Sequence, residues 1–367
     1  MKIKGGELYF IRENDVRTGE LTPYVKIGIV RDKAGDERTS EDRALEHQTG
    51  NPRKLFVESI IKTPSVTEIE NIIHNLYAEE RIYGEWFDFS PDQFESAKKM
   101  ASDLVQMAIA NQEKFEIADS LSSTASRSET IEPKPEIIEW HSKLLAAEVR
   151  VKECVALQAE IKDAFRTIIA APVETGTQKE KQEALEPFVK VQEKKAKLEF
   201  DLDAFKEARP ELYAEFTKVF RSAPKGSFTI TRPKDLVFEL SKIDIALFEY
   251  SKEVKEELVQ YQSGKVSKEE LHTASLKLLG FEAKASWEKE IAQANLKAYC
   301  QDYSGIEGLC KWKRESKETS TFDKAALIEA HPKIAEKFMT EVEVAPRIHY
   351  AEEKGLSKDE RVLIKFY

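Results

Sequence analysis

The sequence predicts an α+β fold. A three-stranded antiparallel sheet flanked by helices comes first, and a mostly α-helical region with short β-hairpins follows. Three observations carry this reading. Short β-prone runs alternate with helical patterns through the first hundred or so residues. A stretch rich in Ser, Thr, Glu and Pro, Ser120 to Pro135, has little to bury and reads as a linker. Beyond it, long charged helical patterns are interrupted only by brief β-prone runs.

The elements follow in order. Leu8-Tyr9-Phe10-Ile11 and Tyr24 to Val30 are β-prone runs joined by the turn-rich stretch Asn14 to Thr22, and they read as an antiparallel pair. Thr39 or Ser40 caps a helix that runs to about Thr49, where Gly50-Asn51-Pro52 stops it. Leu55 to Ile61 is the third strand. Thr67 caps a second helix, whose Ile69, Ile72, Ile73, Leu76 and Tyr77 make one apolar face. Gly84 to Phe89 is a short extended piece, and a helix from about Pro91 to Asn111 closes the segment. After the linker, long helices are expected at about 136–170 and 234–262, and a third from near Ser267 to about Gln301. Ala171 to Gln178 and Ser222 to Gly226 read as loops.

An internal repeat lies in the second half. Glu207-Ala208-Arg209-Pro210, ending at Phe216, parallels Glu329-Ala330-His331-Pro332, ending at Phe338, and Phe200-Asp201 matches Phe322-Asp323 in the same register. Each copy follows a long charged helix and a short β-prone run, Phe188 to Val191 in one and Leu309 to Lys313 in the other.

Composition bounds the function. No stretch approaches the roughly 20 apolar residues that span a bilayer, and the start, Met1 to Gly6, has no apolar signal core, so a cytoplasmic protein is expected. Cys154, Cys300 and Cys310 fit no metal or disulfide spacing and read as reduced thiols. The net charge of -10 opposes simple nucleic-acid binding, which favours a basic surface. It does not exclude a nuclease, since carboxylates hold metal and a local basic patch can sit on an acidic whole.

Strand alternation places Val25, Ile27 and Ile29 on a core face and Tyr24, Lys26 and Gly28 on the other. The second set suits a proton carrier beside a close backbone approach, and an ordinary half-solvated strand fits it as well. Arg43 and His47 are four apart on a helix, a phosphate fork beside a group that titrates near neutrality. Glu70 and His74 share that spacing, and Glu70 stands at the rim of an apolar face, where a carboxylate can hold a hard cation. In Gly84-Glu85-Trp86-Phe87 the aromatics read as core plugs and Glu85 as a partner for an arginine.

In chain order these pieces are Leu8 to Ile11, Val25-Lys26-Ile27-Gly28-Ile29, Arg43, Gln48 to Pro52, Glu70-x-x-x-His74 and Gly84 to Phe87. Residues 7–89 thereby resemble the GIY-YIG nuclease superfamily, in its phage- and bacteria-associated branch whose second motif reads Lys-Ile-Gly. The resemblance implies a metal-dependent DNA endonuclease using Mg²⁺ or Mn²⁺. It makes Tyr9 the first-motif tyrosine that orients or activates water, Arg43 the contact to the scissile phosphate, and Glu70 the metal ligand. His47 matches a histidine found four residues after that arginine in some members. Lys26 stands where the second tyrosine belongs, so the proton-transfer partner is Lys26 or Tyr24. Tyr24 and His74 are the expected DNA-facing groups beside the site.

Lys284 to Tyr350 resembles the C-terminal part of YqaJ-like viral recombinase exonucleases, without their catalytic core. This implies a helical arm with a β-hairpin for DNA engagement or self-association. Lys311, Trp312, Lys313 and Arg314 are then the residues to suspect, as cations beside an aromatic, although Trp312 in a core fits equally. The expected divisions are a nuclease domain at 1–115, a linker at 116–135 and helical/hairpin repeats at 136–232 and 233–367. The alternative function is a catalytically silent DNA- or protein-binding module with a helical, coiled-coil arm for oligomerisation. DNA is the expected partner, a homo-oligomer is compatible with the arm, and no membrane is involved.

Overall fold

The computed structural model describes residues 4–350 except 34, 36–37, 171–177, 186–187, 193–195, 234–237 and 343–346. Strands β1 (Gly6–Asn14) and β2 (Leu21–Arg31) form an antiparallel hairpin. Its turn is closed by Asp15, whose carboxylate accepts from the backbone N–H of Arg17 at 2.8 Å and of Thr18 at 3.1 Å. Helix α1 (Ser40–Gln48) starts at a capping box between Thr39 and Asp42. Strand β3 (Lys54–Thr63) pairs with the free side of β1. Helix α2 (Val66–Leu76) is capped at Ser65 rather than Thr67, and Ser65 makes no side-chain cap bond.

The sheet then departs from expectation. It has five strands, not three, in the order β3-β1-β2-β5-β4. The extended piece at 84–89 is one arm of a hairpin, β4 (Arg81–Tyr83) and β5 (Trp86–Asp88), and β5 covers part of the open edge of β2. Phe87 supplies the driving force, since its ring is fully buried between the sheet and α2. Helix α3 (Pro91–Ser122) runs a further eleven residues past Asn111 because Phe115 and Ala118 continue its buried face.

One face of the sheet, with Leu8, Phe10, Val25 and Ile27, packs on α2 and α3. The other face carries Tyr9 and Ile11 against Ala44 of α1 and Leu55. This two-faced sorting follows from the period of two in the strands.

The helical part begins with α4 (Pro135–Ala170) and α5 (Gln178–Leu185). Most of the expected loop at Ala171–Gln178 lies outside the described residues. Strands β6 (Val189–Gln192) and β7 (Lys197–Phe200) lead to the short helices α6 (Leu202–Ala208) and α7 (Pro210–Glu215), then β8 (Thr217–Arg221) and β9 (Thr229–Ile230). The helix expected at 234–262 is two, α8 (Leu240–Ile243) and α9 (Ile245–Gln262), with residues 234–237 outside the described set. They part at Asp244, whose carboxylate caps α9 by accepting from Leu247 N–H at 3.0 Å. Helix α10 (Lys268–Cys300) is the spine of the protein: it packs on α4, α2, α3 and α9. Strands β10 (Gly305–Ile306), β11 (Cys310–Lys311) and β12 (Glu318–Phe322), helices α11 (Lys324–Ala330) and α12 (Pro332–Glu336), and strands β13 (Met339–Val342) and β14 (Arg347–Tyr350) complete the chain.

Two long-range features were not visible in the sequence. Trp287, Ile291 and Ala294 of α10 belong to the same core as the N-terminal sheet, and the Trp287 ring stacks on Phe115 at 5.5 Å. The segment expected to be a linker is tied down: Ser126 N–H donates to Arg314 O at 3.0 Å, and Ile131 bridges to Ile306.

The repeated sequence folds with the same element order at an offset of 122 residues, since Phe200, Asp201 and Pro210 recur as Phe322, Asp323 and Pro332. The copies pair crosswise, β7 with β13 and β8 with β12. Asp201 and Asp323 cap equivalent helices, and Phe205 and Leu327 are equivalent buried positions of one shared core. The three cysteines are free and buried. No helix among the described residues is long and apolar enough to cross a membrane.

Candidate active site

The site forms on the α1 side of the sheet, at the edge of β2. Tyr9 and Gly28 are cross-strand partners. The Tyr9 ring lies flat over Gly28, where a Cβ would meet the ring carbon Cζ at 2.6 Å. Any larger residue at 28 would displace the phenol, so glycine is a steric requirement here. Tyr9 is 1% exposed, and its hydroxyl meets the guanidinium of Arg43 from α1. Burial, with Glu85 nearby, pushes the phenol pKa up to about 12, while Arg43 opposes the shift.

Helical spacing sets His47 one turn beyond Arg43 on the same face. Burial first, and then the charges of Lys26 and Arg43, lowers the His47 pKa below its ordinary value, so the ring is neutral at pH 7. Its Nε2 is buried without a hydrogen-bond partner among the described residues. Arg43 is also paired with Glu46.

Lys26 is 6% exposed and forms an ion pair with Glu85 at the β4–β5 turn. The Glu85 backbone carbonyl accepts from Ile27 N–H at 3.0 Å, which fixes the turn against β2. Burial alone would raise the Glu85 pKa, but Lys26 outweighs it and holds the carboxylate lower than usual. The partner expected for Glu85 was an arginine, and it is Lys26.

Beyond Lys26 the edge of β2 is uncovered by β5, and α2 passes there. His74 fastens it: Nε2 donates to the edge carbonyl Ile27 O at 3.0 Å, and the ring packs on Phe87 at 5.3 Å. Burial, and then the charge of Arg81, takes the His74 pKa down to about 3, so this ring is a neutral structural donor. It does not face DNA, contrary to expectation, because the unpaired carbonyl of a strand edge has claimed it. Four residues earlier, on the same helix face, stands Glu70. It has no hydrogen bond or ion pair among the described residues, and burial, then the charge of Glu85, raises its pKa to about 7 against Arg31, Lys26 and Arg81. Tyr9, Lys26, Arg43, His47 and Glu70 are thus brought together, with Glu85, Arg31 and Arg81 added to them.

Residues 6–102 match the T5orf172 domain. This domain is part of the GIY-YIG nuclease superfamily, so a nuclease-associated domain occupies about a quarter of the chain. None of the curated proteins or solved structures compared is significantly similar to the chain.

Within the T5orf172 domain, no group of three or more His, Cys, Asp or Glu side chains among the described residues is placed to hold a metal. Mg²⁺ does not need one, since it keeps several waters and takes one or two carboxylates. Glu70 fits that role: it is a half-buried carboxylate with no hydrogen bond or ion pair among the described residues, and burial is the first cause of its raised pKa.

Other candidates fall outside the cluster. Tyr24 is exposed, and no side-chain hydrogen bond or ion pair among the described residues joins it to the site. Lys311 is exposed on β11, and Lys313 pairs with Glu315 at 2.7 Å. Trp312 is 2% exposed, with the Arg314 guanidinium 4.0 Å from its ring centre, so no face is open to a base. Arg314 is itself fully buried and donates to Thr124 O at 3.0 Å. The aromatic-basic run therefore anchors the 124–131 segment.

Gly28→Ala is an expected consequence of this geometry. The methyl group forces the Tyr9 ring off Arg43, with a destabilisation of about 1–3 kcal/mol. Thermal melting of the variant beside the parent protein checks it.

Proposed function

We propose that the protein is a divalent-metal-dependent DNA endonuclease that hydrolyses phosphodiester bonds in a phage, prophage or bacterial-defence setting. The observation supporting this reading is the convergence of Tyr9, Arg43, His47 and Glu70 at one sheet edge from three separate elements. Arg43 binds the scissile phosphate and offsets the charge that grows on its oxygens during in-line attack. Tyr9 keeps its proton and, aligned by Arg43, orients the attacking water. His47, neutral and on the same helix face as Arg43, accepts the proton that the water loses as its oxygen bonds to phosphorus. Lys26 is committed to its ion pair with Glu85. It serves as a fixed charge rather than a base, which leaves His47 the proton acceptor. Glu70 would hold Mg²⁺ or Mn²⁺, and the ion would supply stabilisation of the charge that develops on the leaving oxygen.

The helical half, with its crosswise repeat, is a diverged duplication similar to the C-terminal part of YqaJ-like exonucleases, and its ribbons are an arm for DNA engagement or self-association. A second reading, a catalytically silent DNA-binding module, is favoured by one observation: Lys26 replaces the second tyrosine and is spent on Glu85.

One experiment separates them. Supercoiled plasmid is incubated with the full chain and Mg²⁺ or Mn²⁺, beside Arg43→Ala and Glu70→Ala. Wild type is expected to nick or linearise it, with losses on the order of 10²-fold or more in each variant. Failure of wild type to cut any DNA, modified phage DNA included, overturns the endonuclease.

A further inference from the structure

At the far end of β2 from Lys26, the strand terminus, the residues after it and the start of α1 enclose a pocket of about 180 Å³. Among the described residues its lining is Ile29, Val30, Arg31, Lys33, Arg38 and Arg43, four cations and two aliphatic side chains. The volume equals that of about six waters, enough for a phosphate group. An aliphatic wall behind the cations lowers the local dielectric and strengthens their pull on an anion.

Only Arg43 is used by the proposed chemistry. Arg31, Lys33 and Arg38 are exposed on a chain of net charge -10, so their clustering concentrates positive potential at one spot. The side chains of Arg31 and Lys33 stay open to solvent. Arg31 Nε donates to Thr67 Oγ1 at 3.2 Å, a hydrogen bond between exposed groups. Lys33 has no ion pair among the described residues.

We propose that this pocket is a phosphodiester subsite: it holds the nucleic-acid backbone phosphate that neighbours the one being cut, with Arg43 shared between the two. The inference rests on the endonuclease reading and deepens it. It fixes the path of the strand, which runs along β2 from the Lys26–Glu85 pair to the Arg31 end. It also resolves the conflict between an acidic chain and a polyanionic substrate.

The test uses the full chain with Glu70→Gln to prevent cutting, a short fluorescein-labelled duplex, and binding measured across a salt series. Combining Arg31→Ala, Lys33→Ala and Arg38→Ala should weaken binding about tenfold near 0.1 M salt and make the log K against log salt slope shallower by about 1. The melting temperature should not move, since all three side chains are exposed. A neutral methylphosphonate on one side of the cleavage position should weaken binding to the parent and leave the triple variant unaffected. Unchanged slopes, or methylphosphonate losses that add fully to the substitutions, overturn the subsite while leaving the endonuclease intact. So does a melting-temperature rise with inorganic phosphate when duplex binding ignores the substitutions, since the pocket then takes a free anion. A wild-type protein that neither binds nor cuts DNA overturns both readings.

Discussion

Glu70→Gln is expected to abolish cleavage and, without divalent metal, to make the protein more stable than wild type at alkaline pH. The carboxyl has a pKa of about 7 in the fold against an ordinary 4.5. Below the lower value both folded and unfolded chains carry the proton, and the side chain contributes no difference. As pH rises above it, the unfolded chain releases the proton and the folded chain retains it, so stability falls. Above the higher value the full penalty is present, on the order of 2 kcal/mol for a half-buried group. Glutamine removes that penalty while keeping the shape. The variant should therefore melt a few degrees higher than wild type at about pH 8 and coincide with it at about pH 4. Added Mg²⁺ should raise the melting temperature of wild type and leave the variant unmoved, because a cation that binds only the folded carboxylate stabilises by mass action. Affinity for the metal should climb through about pH 7, as the competing proton leaves Glu70. Equal melting curves at both pH values would show that Glu70 is solvated rather than held charged in the cleft.

The same residue shows what is legible in a sequence. Tyr9 and Glu70 are 61 positions apart, with Arg43 between them, yet each of the three sits in a local pattern of its own: a strand, a capped helix, an amphipathic helix. Their order could be read before any contact was known. Glu70 and His74 share a spacing, and the sequence gives no means of separating their roles. The carbonyl of Ile27 does so, by claiming His74 where β5 stops covering β2. The β4–β5 hairpin itself was read as one extended piece because its strands have only three residues each, too few for a period to register. For Trp312 the sequence left a DNA contact beside lysines and a place in a core equally open. It is buried because Arg314 beside it ties down the segment at Thr124, 190 positions earlier, and local composition carries no trace of that.

Gly280→Val is expected to reduce cleavage more than it reduces stability. Gly280 lies on α10 where that helix crosses α2, and a Cβ there would meet Asn75 C at 2.8 Å and Leu76 Cα at 2.9 Å. Both are main-chain atoms, so the clash cannot be relieved by a side-chain rotation and α2 must move. Overpacking of this kind costs about 1–3 kcal/mol. The displaced helix carries His74 and Glu70, and a shift of about 1 Å at a reacting group costs on the order of 10²-fold in rate. Trp287→Ala supplies the contrast. It empties a core site shared by α10 and the T5orf172 domain, at about 3–5 kcal/mol, yet places nothing against the backbone of α2. Measured well below both melting temperatures, Trp287→Ala should retain more activity than Gly280→Val despite its greater loss of stability. If activity instead followed stability across the two variants, α10 would be a passive wall of the core. The expected order would make α10 the part that sets where Glu70 stands, and so tie the helical half to the proposed chemistry.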